Sequence, residues 1–576
     1  MIELRHDGTT TLAQVVAVGA GEPVSLSPAT AELLDRRRGD VVRLIESTGR
    51  PAYGFNRGFG SNVDRPVPSE GLSDLQYRLL RSHACGVGPL VDRRIIRSTM
   101  FLRARSLAAG HSGVRSALVF QLVDLLNRDI VPCVPSLGSV GASGDLAPLS
   151  HIGLAVIGEG SVTIGTDPTV LLAAEALSQC GLVPLRLEMK EGLALNNGLQ
   201  FSCALAIHCL DRMQVLLKTA TLSTALAVQV FLGSDSPFLE ELHELRPHPG
   251  ARTIAGWLRN LLRDSPIRQS HEQYDVDGQV QDPYSLRCSA QILGACADLL
   301  EDTRRTLSIE VNSVTDNPLL LESQEQPGVF DRIVSGGHFH GMPLATRVFH
   351  MLEAMAIMAR LSNMRCARYV DSGRNRGLGH DLKWPGLSPV DQATSSAMMI
   401  PEYVSAALTN EIWGACMPSH LFSLSTDAGQ EDHVSMSAGV ALRAWSMLPR
   451  LSELLAIELA YGAQAAAIRR LQPHFPTKVT VKEDADDVMR CRREAYEQAV
   501  SQLPIPQQFD LSVRTELLYH WKEEERRLSP PCEEAVRRIH SVFPPVTEDR
   551  VLSGNIQDLA AAVLRGDLVK DAEFWV

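Results

Sequence analysis

The sequence predicts a mainly α protein: an elongated bundle of long central helices with a smaller mixed α/β region at the N-terminus. Three observations carry this. Beyond residue 200, apolar residues recur at helical spacing with few breakers over 201–232, 287–310, 343–366, 393–416 and 433–470. Before residue 200, Gly and Pro punctuate the chain far more often, and short β-branched runs occur. The 576 residues are 45% hydrophobic and 21% charged, an ordinary globular composition able to bury a large core.

The elements follow in chain order. Residues 1–200 form the mixed region. It holds the β-branched run "TTTLAQVVAVG" and the helical segment "SPATAELLDRRRGDVVRLIES", with Ser27 as N-cap and Pro28 in the first turn. Residues 201–470 form the central bundle, whose helices are long enough to pack side by side and be buried on most faces. Residues 471–576 form a charged, more peripheral region. There "VKEDADDVMRCRREAYEQAV" and "TELLYHWKEEERRL" read as amphipathic helices separated by Pro clusters.

Several function classes recede on composition. With 55 basic and 67 acidic side chains the formal charge is −12, which argues against binding a nucleic-acid backbone. The 11 cysteines form no CxxC pair, so neither a zinc ribbon nor a thioredoxin-type motif is present and no metal site is expected. The N-terminus lacks a signal-peptide core, and the scattered cysteines fit reduced thiols, so a cytoplasmic location is expected. The most apolar stretches, 219–233 and 454–467, are too short or too interrupted for a membrane span and read as core helices.

Polar punctuation is concentrated in six places besides "GSVGASGDLAPLSH" (138–151). These are "YGFNRGFG" (53–60), "LALNNGLQ" (193–200), "QDPYSLRC" (281–288), "TDNP" (315–318), "SGGHFHGMP" (335–343) and "GQEDHVSMSAG" (429–439). Each alone reads as helix caps and turns, and Ser143 or Asp145 could simply cap a helix. Together they mix Tyr, Arg, Gln, Glu and His with glycine at helix ends, where unpaired N–H groups and dipoles converge, so they predict a polar pocket. The residues by themselves assign it no chemistry.

The ordered set of motifs resembles the aromatic amino-acid lyase family. The resemblance runs from about 50 to 440 and includes "LRSHACGVG", "KEGLALNNG", "NSVTDNP" and "QEDHVSM". "RSHACGVG" and "QEDHVSM" look most like the members that act on histidine. The resemblance implies that Ala142-Ser143-Gly144 cyclises into a methylidene-imidazolone, an electrophile made from the backbone, with no external cofactor. Small residues suit a backbone that must fold onto itself.

It further implies that Tyr53 is the general base, that Asn197 stabilises the oxygen of the electrophile and that Phe339 packs against its ring. Arg287 holds the substrate carboxylate, Tyr284 and Gln281 line the same side, and Asn317 supports substrate or Tyr53. His83 and Glu431 are the pair that read an imidazole, whose N–H and N need a donor and an acceptor. Departures from the histidine-lyase pattern stand at Arg57 (usually Thr), His338 (usually Asn) and Met342 (commonly Glu), and they bear on substrate choice. The implied reaction is elimination of ammonia from an aromatic α-amino acid, with L-histidine to urocanate foremost. An aminomutase, a lyase acting on a modified histidine and a non-catalytic binding subunit are the alternatives. Family members are homotetramers with shared active sites, and neither nucleic acid nor membrane is an expected partner.

Overall fold

The computed structural model describes residues 1–49, 51–58, 64–271, 274–276, 281–473, 479–481, 498, 501 and 521–575. The chain divides into two compact units, each discontinuous in sequence. The first comprises Met1–Asp211, Asp302–Met351 and Met417–Trp445; the second comprises Arg212–Glu301, Leu352–Cys416 and Ser446–Val576.

In the first unit the helix Pro28–Thr48 begins as its sequence requires. Ser27 Oγ accepts from Thr30 N at 3.2 Å, Pro28 opens the first turn, and Gly49 ends the helix at φ +57°. Leu34, Val41 and Ile45 form its buried stripe. Val41 and Ile45 join Ala52, Phe55, Leu320 and Phe330 in one apolar cluster. Ala52 and Phe55 flank Tyr53, so this cluster anchors the tyrosine loop from both sides.

The β content consists of small pairings. Val87–Leu90 runs antiparallel to Pro135–Leu137. That pairing holds the chain after the helix Leu72–His83 beside the loop that begins at Gly138. Ile130–Pro132, Ser161–Ile164 and Leu171–Leu172 form a three-stranded antiparallel sheet. Ile2–Leu4 pairs in parallel with Val24–Leu26. The β-branched run at 9–19 folds as a helix, Leu12–Gly19, because Thr11 and Gln14 make a reciprocal capping box at its start.

The long helices are Gln200–Val230, Ser289–Glu310, Met342–Val370 and Ser437–Leu471. Each contributes one end to each unit. In the second unit Tyr369 stacks on Tyr461 with ring centroids 5.5 Å apart. Arg365 pairs with Glu458, both side chains fully buried. Each fully buried leucine of such a core stabilises the fold by about 1.5–3 kcal/mol. Ser437–Leu471 is long and apolar enough to cross a membrane, but 89% of its apolar window is buried inside the protein. It is a core helix.

Two helix expectations are corrected. The segment 393–416 is broken: Pro389–Thr394 and Ile400–Ala415 are separate helices. Asp549 stops the first one by accepting from Ser395 Oγ, Ser396 N and Ala397 N, and Ala397 takes φ +41°. The described part of "TELLYHWKEEERRL" is only a single 3-10 turn, Glu524–Arg526. Trp521 is fully buried there, with Nε1 donating to Ser270 Oγ, which pins the chain inward instead of leaving a solvated helix. Most of "VKEDADDVMRCRREAYEQAV" lies outside the described residues.

Candidate active site

The loop 138–145 is the centre of the site. Gly144 and Gly198 form a parallel bridge, and Asp145 N donates to Gly198 O at 2.7 Å. Gly144 has φ +80°, and a Cβ on it would fall 2.3–2.6 Å from the Gly198 backbone. Only glycine fits at that position. Ala142 is buried. Asp145 occupies the cap position of the helix Leu146–Val156 but does not cap it. Its buried carboxylate instead accepts from Ser139 Oγ, Ser202 N and Ser202 Oγ, at 2.7, 2.8 and 2.7 Å. Burial raises its pKa, and those hydrogen bonds oppose the rise.

Two further segments are laced to this loop. Ser435 Oγ donates to Gly141 O at 2.7 Å, Met436 N to Val140 O at 2.7 Å and Gly341 N to Gly141 O at 3.2 Å. His340 links the two segments through Nε2, 3.0 Å from His433 O. Phe339, half-buried, and His338, exposed, lie in the Gly-rich loop held this way, and Met342 starts the helix that follows. Asn317 Oδ1 accepts from Gly336 N at 2.8 Å and ties "TDNP" to the same loop. Beside it Lys190 and Asp316 form a fully buried ion pair at 2.8 Å. Burial lowers the lysine pKa, and Asp316 counteracts this.

Around Ser143 the polar contacts are specific. Asn197 Nδ2 donates to Ser143 O at 2.7 Å, while the buried Asn197 Oδ1 has no hydrogen-bond partner among the described residues. Arg103 holds the Asn197 carbonyl through Nη1 at 2.6 Å and is wholly buried, which lowers its pKa to about 10. Ser143 Oγ donates to Glu431 Oε1 at 2.5 Å, and Thr426 Oγ1 donates to Glu431 Oε2 at 2.6 Å.

His83 ends the helix Leu72–His83, with Nδ1 2.9 Å from Leu79 O and from Ser82 Oγ. A carbonyl only accepts, so the bond to Leu79 puts the proton on Nδ1 and leaves Nε2 of the neutral ring as an acceptor. Burial lowers the His83 pKa; Leu79, then Asp427 and Glu431, pull it the other way. His83 and Glu431 are therefore within electrostatic reach of each other.

Tyr53 lies in a segment whose described residues are bonded to one another. Tyr53 bridges Arg57, Arg57 bridges Pro66, and Arg57 Nη1 donates to Asp64 O at 2.9 Å. Gly54, at φ +72°, lies so near Leu193 that a Cβ would come within 2.4 Å of it. Gln76 joins this loop to the helix Glu191–Asn196: its Nε2 donates to Gly54 O and its Oε1 accepts from Gly192 N. Gln281, Tyr284 and Arg287 belong to the second unit. There the Arg287 guanidinium lies 4.8 Å from the centre of the Tyr284 ring, and Tyr284 is 69% exposed.

A family model described as aromatic amino acid lyase matches residues 10–487. The chain belongs to the aromatic amino acid lyase family. That membership makes it a carbon–nitrogen lyase. It is 41% identical over 466 residues to the histidine ammonia-lyase of Gloeobacter violaceus, covering 81% of this chain and 87% of that one. The crystal structure of histidine ammonia-lyase from Trypanosoma cruzi superposes with TM-score 0.80 at 27% identity, over 100% of this chain and 96% of that one. The tyrosine aminomutase of Streptomyces globisporus superposes with TM-score 0.81 at 27% identity, over 99% and 98%.

For an aromatic amino acid lyase, sequence reasoning passed over three groups that shape the site. Thr426 fixes Glu431, Arg103 holds Asn197, and Asp145 braces the triplet loop from beneath. Asp145 was visible within its motif but read as a cap. Nothing in the local sequence around Thr426 or Arg103 distinguishes them, because their partners lie far away in the chain.

Proposed function

We propose that this chain eliminates ammonia from L-histidine to give urocanate, using an electrophile formed from Ala142-Ser143-Gly144. The observation that carries the reading is the convergence of Ser143, Asn197, Glu431 and His83, together with histidine ammonia-lyase relatives at about 40% identity over most of the chain. The residues fit the group. Gly144 is pressed against Gly198 in a conformation only glycine tolerates, and Asn197 already donates to the carbonyl that would become the ring oxygen. Once formed, the group supplies an electrophile for the amine nitrogen, which makes ammonia a better leaving group.

The other roles belong to side chains. Tyr53 takes the β-proton. Arg287 holds the carboxylate, for which a planar guanidinium suits a two-point contact, with Tyr284 and Gln281 lining that side. Asn197 polarises the ring carbonyl, Phe339 packs on the ring, and Asn317 steadies the loop that carries Phe339. His83 and Glu431 hold the imidazole. His83 Nε2 accepts one N–H, and Glu431 accepts the other when the ring is protonated. Arg57, with Nη1 donating to Asp64 O, shapes the Tyr53 loop, and His338 borders the site from the loop next to Phe339.

The working form is a homotetramer. In the second unit Ile400, Tyr403 and Trp413 on one helix are 52%, 63% and 46% exposed. In the first unit Leu421, Phe422 and Leu424 are 63%, 59% and 65% exposed. Apolar surface of this kind is what an assembly buries. Partners are then the amino acid and other copies of the chain. The described cysteines form no disulfide with one another, which fits a reducing, cytoplasmic setting.

The test is incubation with a panel of amino acids and mass spectrometry of the products. Ammonia and urocanate from histidine are expected. A β-amino acid would make the chain an aminomutase, and preferred turnover of tyrosine would end the imidazole reading. The intact protein is expected to weigh two waters less than its sequence, and Ser143→Ala to lose both the deficit and the turnover.

A further inference from the structure

We infer that Glu431 has a second task that precedes any substrate: it delivers the proton that lets the Ser143 hydroxyl leave when the electrophile is made. This rests on the reading above that the triplet cyclises. Three features of the structure support it. The Glu431 carboxyl is in direct hydrogen-bond contact with the Ser143 oxygen that must depart, at 2.5 Å. Its other oxygen is occupied by Thr426 Oγ1, and the Thr426 and Glu431 backbones bridge each other, so the carboxyl is aimed from behind. The turn between them holds Asp427 and Ala428 at φ +47° and +54°, left-handed backbone that side chains other than glycine rarely adopt. Such strain persists only where the surroundings impose it. Here it turns the chain so that Glu431 faces Ser143.

The chemistry needs an acid at this point. In the first step the Gly144 nitrogen bonds to the Ala142 carbonyl carbon. The carbonyl oxygen leaves as water with the amide protons of Gly144 and Ser143, and a C=N bond forms between Ala142 and Ser143. In the second step the Ser143 Cα–H pair becomes the Cα=Cβ bond, and that proton goes to solvent water. The Cβ–Oγ bond breaks with its electron pair on Oγ, which keeps its own proton and needs a second to leave as water. Glu431 first takes a proton from solvent. The contact in which Oε1 now accepts from Ser143 Oγ then reverses, Glu431 donates that second proton to Oγ, and the carboxylate is left behind as water departs. Hydroxide is a poor leaving group, and a positioned acid accelerates such a departure by about 10²–10⁴-fold. Glu431 is thus a catalytic residue of self-processing, and Thr426 is a positioning residue for it.

The experiment follows intact mass with time after cell-free synthesis of the full chain, with no substrate present. Wild type is expected to pass to a two-water deficit. Glu431→Gln keeps the side chain's size and a hydrogen bond but cannot give up a proton. It is expected to mature at least about a hundredfold more slowly and to accumulate a one-water deficit, ring closed and hydroxyl retained. Thr426→Val should slow the second loss about tenfold, and Thr426→Ser should restore it. A two-water deficit in Glu431→Gln at the wild-type rate overturns the proposal. If Glu431→Gln does not fold, the Thr426 pair decides, and equal rates in Val, Ser and wild type overturn it. No deficit in wild type defeats the cyclisation reading instead, a result distinct from either.

Discussion

His83 and Glu431 carry the substrate argument at the scale of single residues, and each makes a measurable prediction. Burial lowers the His83 pKa, so the ring is neutral near pH 7 and remains so below the ordinary histidine value of 6.5. The unfolded chain takes up this proton near 6.5 and the folded one only at lower pH. Stability from this group therefore falls as pH drops from 6.5 through the folded value and is level on either side. An ¹⁵N-histidine NMR titration, assigned with His83→Gln, should show a midpoint below 6.5; a midpoint above it would mean that the carboxylates of Asp427 and Glu431 outweigh burial. For Glu431→Gln, turnover of histidine per mature site should fall by about 2–4 kcal/mol of transition-state stabilisation, since a charge-assisted hydrogen bond is lost. Counting mature sites by intact mass separates this effect from slow maturation. Unchanged histidine turnover per mature site would remove Glu431 from substrate recognition.

At the scale of elements, the bridge between Gly144 and Gly198 decides whether the triplet loop is seated at all. Gly144→Ala would place a methyl within 2.6 Å of backbone atoms that have no room to move, on a residue at φ +80°. Overpacking of this kind costs about 1–3 kcal/mol or more, and the positive φ adds to it. The melting temperature should fall and the two-water mass deficit should disappear together; a Gly144→Ala protein that melts like wild type would show the bridge to be dispensable. Elements were legible where caps and periodicity agree. Ser27 and Pro28 open their helix as read, and four of the five long periodic stretches are long helices. The fifth, 393–416, breaks because Asp549, about 150 residues later, takes the hydrogen bonds that would have continued the helix. No local pattern encodes a remote competitor of that kind.

At the scale of the whole molecule, the exposed apolar side chains of 400–413 and 421–424 predict assembly. Analytical ultracentrifugation should show a tetramer, and Phe422→Glu with Leu424→Glu should shift it toward smaller species with loss of activity. A fully active wild-type monomer would refute the shared-site reading. The sequence by itself determined the helical class and the central long helices, because these are written in short-range spacing and residue type; the Ala-Ser-Gly triplet and the polar residues expected around it were named through resemblance to a family. Only the tertiary structure decided what those residues touch. Ser143 and Glu431 meet across 288 residues. Asp145 abandons its cap for Ser139 and Ser202, and Arg103 is buried to hold the carbonyl of Asn197. The two units are each assembled from three separate stretches of chain. The physical reason is common to the three polar contacts: caps and periodicity are settled by neighbours a few residues away, whereas a buried polar group takes whichever partner the packed core brings to it.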